Sequence, residues 1–335
     1  MTTNWFEDLF GFSEGSYDET RNNLEVLGTT LRSRSNRRSY TIGELTTPSL
    51  GELRDEAASV VDALRGRLTI SSVVGDVRRM HSDPDNHNAL FQVASQFNLL
   101  EMTGPDVTPE DGVTRYVHDR TQGPACALAA GAATVYRNYF APVAGRAGQT
   151  RDRQIDCLRD LGVELGNDTS QLWTMRNGYA LCTEDGLTTI AQKLATLDID
   201  NVDRLRDSIR IGLHRSVQVT DVRENMQLVS QAFCAALPVR YSNVPSDRWK
   251  PFASLVLEGA YEATLWSAVV NAHRSGSRIL FLTALGGGAF GNEPEWIHDA
   301  IRRALRRVAG VRLDVRIVSY TKPDGALERL VAEFA

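Results

Sequence analysis

Residues 278–292 read RILFLTALGGGAFGN, and this stretch decides the fold. Arg278–Thr283 is a short apolar run with the length and composition of a strand buried on both faces. It passes straight into Leu285–Asn292 (LGGGAFGN), where Gly286, Gly287, Gly288 and Gly291 crowd one turn. Such a density of glycine costs chain entropy, and it is kept where backbone must approach something closely or adopt positive φ. Pro294–Val308 follows with helical spacing, and Leu313–Tyr320 (LDVRIVSY) reads as a further strand. Strand, glycine loop, helix, strand is an α/β unit with a parallel pair and a right-handed crossover. At the carboxyl end of a parallel strand, before a helix N-terminus, such a loop turns bare N–H groups and the positive helix end toward an anion. Phosphate is the natural guest; a glycine-rich turn without a ligand is the competing reading. The loop lacks the Lys-Ser/Thr of a Walker A motif, and it is not a GxGxxG fingerprint with an acidic residue about twenty positions on.

Working upstream, Phe252–Ser275 has the spacing of an amphipathic helix, with Leu255, Ala260, Leu265, Val269 and Ala272 near one face. Leu68–Val74 (LTISSVV) reads as a strand by its β-branched content and ends at Gly75-Asp76. An acidic residue at a strand end can accept from an adenine amino group, and it can equally belong to an ordinary turn. Asn88–Leu100 (NALFQVASQFNLL) reads as strand then turn. Thr121–Ala127 (TQGPACA) is a Gly-Pro entry to a small-residue helix over 124–139, with Pro124 in its first turn. Its N–H groups give a second phosphate-sized cradle, and two cradles suit a pyrophosphate; close helix packing explains the small residues as well. Between the strand and this helix lie Asn98, Glu101, Asp106, Glu110, Asp111 and Asp119. Carboxylates repel phosphates, so those beside a phosphate site need a task. Activating water or protonating a leaving group is one; a solvated acidic loop is the alternative.

The remaining segments are less informative. Residues 1–45 form a polar leader whose Trp5, Phe6, Leu9, Phe10 and Phe12 are expected to anchor it on the body, since five large apolar groups would not stay in water. Ser49 with Glu52 has capping-box spacing and opens a helix to about Leu64. Residues 141–225 are the hardest to read, with strand candidates at 172–174 and 178–182 and a helical stretch at 187–197. Residues 198–210 look like a charged surface or insertion, and 227–239 like a strand plus turn.

Composition sets the outer limits. With 335 residues, 42% hydrophobic and 24% charged, the chain is of ordinary globular type, one large domain or two modest ones. A net charge of −5 argues against a general nucleic-acid binder. No apolar run approaches the ~18 residues of a membrane span, and the start, with Glu7 and Asp8 and no basic cluster, does not read as a secretory signal. Basic charge is nearly all Arg, with Lys only at Lys193, Lys250 and Lys322. Cys126, Cys157, Cys182 and Cys234 form no CxxC pair and are expected as buried, reduced thiols of a cytosolic protein. No metal site is expected, and His118 beside Asp119 reads as a surface pair.

These pieces, in this order, resemble a macrodomain, the ADP-ribose-recognising fold, over about residues 68–320. VVGDV at 73–77 resembles the strand end whose Asp receives the adenine amino group, which places Asp76 there. NALFQVASQFNLLE at 88–101 is similar to the family's VNAAN strand and turn, with Asn98 as the second Asn. GPACALAAGAA at 123–133 stands at the first loop, LVLEGAYEATLWSAV at 255–269 at a following helix, and RILFLTALGGGAFGN at the second loop that wraps the diphosphate. The chain departs from the family in lacking a triple glycine in the first loop. It also has no GGG-x(6–8)-QEE signature, so a poly(ADP-ribose) glycohydrolase mechanism does not transfer residue by residue. The long leader, the acidic 101–119 loop and the TQGPACA helix are more similar to bacterial-effector macrodomains that remove ADP-ribose from ADP-ribosylated ubiquitin.

The resemblance implies a three-layer α/β domain, a mixed sheet flanked by helices, over 67–335, with an insertion near 141–225 and an N-terminal helical extension over 1–66. It implies ADP-ribose bound by Asp76, Asn98, Thr121, Gln122 and Gly123 and by Leu285, Gly286, Gly287, Gly288, Ala289, Phe290, Gly291 and Asn292, with Phe290 and Asn292 at the distal ribose. Asp119 is the first catalytic candidate, with Glu101 and Asp111 behind it. The expected activity is hydrolysis of mono-ADP-ribose from a protein side chain, ubiquitin being one candidate carrier, with no cofactor and ADP-ribose as ligand. A monomer is expected, in the cytoplasm or delivered into a host cytosol, with no nucleic-acid or membrane partner. Non-catalytic binding of ADP-ribose or a related NAD metabolite, and another nucleotide-phosphate enzyme that shares the loop, stand as alternatives.

Overall fold

In the computed structural model, which describes residues 4–222, 226–322 and 325–334, the apolar and β-branched runs meet in one seven-stranded sheet. Its strands are β1 (Glu44–Thr46), β2 (Thr69–Val74), β3 (Leu90–Ala94), β4 (Gly212–Gln218), β5 (Leu228–Cys234), β6 (Ile279–Leu282) and β7 (Asp314–Ser319), in the order β1-β4-β5-β3-β6-β7-β2. The run β5-β3-β6-β7-β2 is parallel throughout, whereas β4 is antiparallel to both β1 and β5. The predicted parallel pair is therefore β6 with β7, in register from Ile279 opposite Asp314.

Central β3 (LFQVA) shows why the sheet is sandwiched. Leu90, Phe91 and Val93 are wholly buried, as expected of a parallel strand covered on both faces. Each such side chain stabilises the fold by about 1.5–3 kcal/mol. One face is covered by the helices Leu50–Ala58, Ser246–Ser275 and Pro294–Arg307, the other by Val77–Ser82, Gln122–Ala129 and Gly131–Tyr139. The three-layer architecture and the mixed sheet are as expected. The polar residue of β3, Gln92, is fully used: its amide donates to Thr264 Oγ1 at 3.0 Å and its carbonyl accepts the Thr283 N–H at 3.3 Å. It thus ties the strand to the long helix and to the start of the glycine loop.

Several elements differ from their sequence reading for identifiable reasons. The Ser49 capping box forms, with Ser49 N–H donating to Glu52 at 2.7 Å, but the helix ends at Ala58 and a separate 3-10 turn covers Val61–Leu64. The 124–139 helix is two helices, because Thr220 takes the Ala129 carbonyl (2.7 Å) and the Gly131 N–H (2.9 Å) that would continue it. The helix expected to be amphipathic over 252–275 starts at Ser246 and is buried on nearly every side, between the other helices of its layer and the sheet. Strand β4 went unread because GLHRSVQ carries His214 and Arg215 in place of an apolar run, and it bulges between His214 and Val217. The strand candidates near 172–182 form an antiparallel hairpin, Trp173–Arg176 with Tyr179–Cys182.

The N-terminal region contains the short helices Trp5–Phe10 and Tyr17–Asn22 and also a three-stranded antiparallel sheet (Leu24–Leu27, Thr30–Ser33, Ser39–Thr41) before β1 joins the main sheet. Its aromatics anchor it as expected. Phe6 and Phe10 are wholly buried in a second core with Leu100, Met102, Val113, Tyr116 and Leu128, that is, against the acidic loop and the small-residue helix.

Candidate active site

A cleft of about 240 Å³ opens at the carboxyl ends of the three central strands: Ala94 and Ser95 at the end of β3, Ala236 after β5, Thr283 after β6. That is where a parallel α/β sheet offers a crevice. One wall is the segment Asp119–Pro124, the other the turn Thr283–Phe290. The two glycine-bearing stretches, far apart in sequence, converge on one site. The volume lies below the ~300–1,000 Å³ of pockets that enclose whole drug-sized ligands, so a larger guest must continue over the neighbouring strand ends.

The first wall is seated by a side chain that behaves as a strand residue. Gln122 accepts the Ala94 N–H at 2.8 Å and donates to the Gln92 carbonyl at 2.8 Å, extending the edge of β3 by one residue. Only glycine fits at the next position, since a Cβ on Gly123 would stand 2.0 Å from the Ala94 carbonyl oxygen. Thr121 is the N-cap of the helix, yet its hydroxyl donates to Asp119 Oδ1 at 2.7 Å and caps nothing. The peptide N–H groups of Gln122 and Gly123 consequently donate to no acceptor among the described residues.

The second wall is held from outside by other elements. Tyr261 of the long helix donates to the Thr283 carbonyl (2.6 Å) and accepts the Leu285 N–H (2.8 Å). Asn292 donates to the Leu237 carbonyl at 2.8 Å, and its own N–H closes the turn on Gly286 O at 2.9 Å. Arg240 donates its peptide N–H to Phe290 O (2.9 Å) and Nη1 to Gly288 O (3.0 Å). A peptide's N–H points opposite its C=O, so with the Gly288 carbonyl drawn to Arg240 the Ala289 N–H faces the other way. The N–H groups of Gly286, Gly288, Ala289 and Phe290 have no acceptor among the described residues. Gly286 is the glycine this shape requires: its φ is +73°, and a Cβ would stand 2.4 Å from the Ala236 methyl.

Two carboxylates enter the cleft, and no Lys, Arg or His is among its lining residues. Glu101 is 2% exposed, presented by a tight turn in which Leu99 has φ +64°. Gln96 staples that turn, accepting the Met102 N–H at 2.7 Å and donating to its carbonyl at 3.1 Å, while Tyr116 Oη accepts the Glu101 N–H at 3.1 Å. Glu101 Oε1 meets the buried Arg137 Nη2 at 3.3 Å, and Oε2 has no partner among the described residues. Burial pushes the Glu101 carboxyl up to about 7 against the opposing pull of Arg137. Asp119 stands at the rim, half-exposed; Oδ1 accepts the Thr121 N–H at 2.8 Å, and Oδ2 is unpaired among the described residues. A wall of Tyr179, Tyr241 and Phe290, with ring centroids 5.2–5.7 Å apart, closes this end.

Of the residues singled out in the sequence, Glu101, Asp119, Thr121, Gln122, Gly123, Leu285, Gly286, Gly288, Ala289 and Phe290 line the cleft. Gly287, Gly291 and Asn292 shape the turn without lining it. Asn98 is wholly buried, its carbonyl accepting the Leu100 N–H at 3.1 Å and its amide donating to Gln154 at 2.7 Å, so it builds the Glu101 turn and faces no guest. Asp111 is outside the cleft, its carboxylate accepting the Thr108 N–H at 2.8 Å. Asp76 caps the helix Val77–Ser82 at the end of β2, two strands from β6 on the same edge of the sheet, with Val74 and Tyr320 exposed at the ends of β2 and β7. Tyr179, Tyr241 and Arg240 escaped the sequence reading; Arg240 and Tyr241 come from the short 3-10 turn Val239–Tyr241, which carries no glycine or acidic signal, and Tyr179 from the 173–182 hairpin.

The four cysteines are buried and free, and no group of three or more potential metal ligands occurs among the described residues. No helix among them is long and apolar enough to cross a membrane.

No protein-family model and no curated protein matches the chain. Among solved structures it is similar to a poly(ADP-ribose) glycohydrolase from Deinococcus radiodurans in complex with ADP-ribose, at 13% identity over 86% of this chain and 94% of that one, TM-score 0.45. A second crystal form of that complex gives 12% identity, 87% and 95% coverage, and a TM-score of 0.47. The glycohydrolase from Thermomonospora curvata gives 12% identity, 95% and 96% coverage, and a TM-score of 0.43. At these values the superposition assigns no role to any residue, and the functional reading rests on the cleft itself.

Proposed function

We propose that the protein is an ADP-ribosyl hydrolase that releases mono-ADP-ribose from a modified protein side chain. The observation that carries this reading is the cleft's division of labour. Two loops whose peptide N–H groups lack an acceptor among the described residues line a space that also receives two carboxylates and has no Lys, Arg or His in its lining. Neutral amide donors suit a diphosphate that must later leave, since they attract the anion without the strong pairing of Arg or Lys. The carboxylates would repel the diphosphate, so they serve the far end of the ligand. The exposed strand ends at Val74, Asp76 and Tyr320, on the same edge of the sheet, offer apolar surface and an acceptor for a heterocyclic amine.

Cleavage then follows general acid–base logic. Glu101, largely protonated below about pH 7, gives its proton to the leaving atom of the side chain as the bond from C1″ breaks. Positive charge develops on the distal ribose, which the Asp119 carboxylate stabilises. Water adds at C1″ and loses its proton to Asp119. The wall of Tyr179, Tyr241 and Phe290 keeps bulk water from that face. Arg137 holds one oxygen of Glu101, and the other, buried and without a partner among the described residues, is the one left to carry the proton.

The test is incubation with proteins mono-ADP-ribosylated through arginine, serine or glutamate, ubiquitin among them, and with poly(ADP-ribose), following free ADP-ribose. Release from a mono-modified protein supports the reading. Tight ADP-ribose binding with no release from any substrate makes the protein a binding module, and preference for NAD or a nucleotide over ADP-ribose makes it a different nucleotide enzyme.

A further inference from the structure

Outside the cleft, a carboxylate from the N-terminal region grips a backbone turn that leads to both cleft carboxylates. Glu14 lies between the helices Trp5–Phe10 and Tyr17–Asn22. Its two oxygens accept the Val113 N–H at 2.9 and 3.1 Å, the Thr114 N–H at 2.8 Å and the Tyr139 hydroxyl at 2.7 Å. The turn is shaped around it: Gly112 has φ +77°, and a Cβ there would stand 2.5 Å from Glu14 Oε2. Trp5 adds a second tether, its indole N–H donating to Thr114 O at 3.4 Å. The gripped residues open the 3-10 helix Thr114–His118. In that short helix Tyr116 Oη accepts the Glu101 N–H at 3.1 Å, and Asp119 follows as its C-cap. One turn of chain therefore supports the buried carboxylate and carries the rim carboxylate.

We propose that Glu14 is a positioning residue: by clamping residues 112–114 it sets the helix 114–118 so that Glu101 and Asp119 meet the bound ligand. The proposal rests on the hydrolase reading of the cleft. Hydrogen bonds from peptide N–H groups to a carboxylate are roughly twice as strong as neutral ones, so two such donors on one turn, Val113 shared between both oxygens and Thr114 on one, fix it more firmly than the loop could fix itself. The downstream end is fixed separately, by Gln122 on β3. Loss of Glu14 thus loosens Asp119 and the Tyr116 support of Glu101, while Gln122 and Gly123 keep their place. A catalytic group misplaced by a fraction of an ångström lowers turnover without weakening ground-state binding.

The experiment compares Glu14→Ala, Glu14→Gln and, as a control, Ser33→Ala. The control removes a hydroxyl that donates to Phe10 O at 2.5 Å and accepts the Ser35 N–H at 3.2 Å elsewhere in the same region, with no hydrogen bond to 112–121 among the described residues. Turnover by Glu14→Ala is expected to fall about tenfold or more, with ADP-ribose affinity unchanged within about twofold. Glu14→Gln, which keeps one acceptor oxygen, is expected to fall less, and Ser33→Ala to turn over normally. Hydrogen exchange at the amides of 113–121 is expected to speed up in Glu14→Ala alone. The proposal is overturned if affinity and turnover fall together, if Ser33→Ala loses as much turnover as Glu14→Ala, or if exchange over 113–121 is unchanged. Absence of ADP-ribose release by the unaltered protein would count against the hydrolase reading, while the exchange comparison still decides whether Glu14 holds the turn.

Discussion

Glu101 and Asp119 stand at one cleft and are held in opposite ways. Glu101 is sealed between two cores, with its backbone stapled by Gln96 and Tyr116 and one oxygen on a buried arginine. Asp119 sits half-exposed at the rim with one oxygen spent on organising Thr121 and the other without a partner among the described residues. Burial raises the first carboxyl into the neutral range; the second keeps water around it. Two carboxyls placed in different environments can divide acid and base work between them. The difference teaches that position in the fold, more than residue type, assigns chemistry in this cleft.

Replacing Glu101 by Gln sharpens the contrast most. An amide of the same shape keeps the turn but supplies no proton, so turnover should fall by about 10²–10⁴-fold with ADP-ribose affinity retained, as read by single-turnover release and calorimetric titration. If Glu101→Gln turns over normally, the two carboxyls do not divide the work as described. Asp119→Asn should cost less, about 10–10²-fold in turnover, because the asparagine carbonyl still accepts the Thr121 N–H and bound water can substitute in part for the lost charge. Full turnover in that variant removes Asp119 from the mechanism.

The pH dependence separates the two residues again. As an acid, Glu101 must be protonated, so turnover should decline as pH rises through about 7, and this limb should vanish in Glu101→Gln. The same shift bears on stability. A carboxyl raised from 4.5 to about 7 on folding contributes stability that is complete below its unfolded value and is lost as pH rises through its folded one. The melting temperature of the unaltered protein should therefore fall relative to that of Glu101→Gln between those limits, and a constant gap would place the carboxyl in its ordinary range.

Smaller effects are expected in the walls. Gly286→Ala demands a left-handed alanine with its methyl pressed on Ala236, a strain of about 1–3 kcal/mol, and should weaken ADP-ribose binding by roughly tenfold while leaving the Glu101 limb in place. Arg240→Ala leaves the Gly288 carbonyl with only the Gly291 N–H and should weaken binding about fivefold, the worth of one hydrogen bond near 1 kcal/mol. Equal losses of turnover in these variants and in Glu101→Gln would erase the distinction between holding and cleaving.

Much of the fold was legible because its central strands are short runs rich in apolar and β-branched residues, and β3, β6 and β7 could be read from composition. The glycine turn was legible because its shape demands glycine: Gly286 has φ +73°, and a Cβ there would press on the Ala236 methyl. Gly123 was legible as a helix entry, though its actual necessity, the 2.0 Å approach to Ala94 O, depends on a contact distant in sequence. What stayed hidden depends on such contacts throughout. Nothing in the order of residues distinguishes Glu101 from Asp111; the first faces a cleft because Gln96 and Tyr116 fold a turn around it, the second caps its own loop. Asn98 resembled a ligand contact by position and is spent on that same turn. Strand β4 hides a buried histidine in a polar run, and the aromatic wall draws Tyr179, Tyr241 and Phe290 from three separate segments.

The most direct test is a crystal structure with ADP-ribose bound. The account predicts the diphosphate within hydrogen-bonding distance of the Gly123 N–H on one side and of the Ala289 and Phe290 N–H groups on the other, with the distal ribose against Glu101. A ligand seated elsewhere, or a diphosphate met by only one of the two walls, contradicts it.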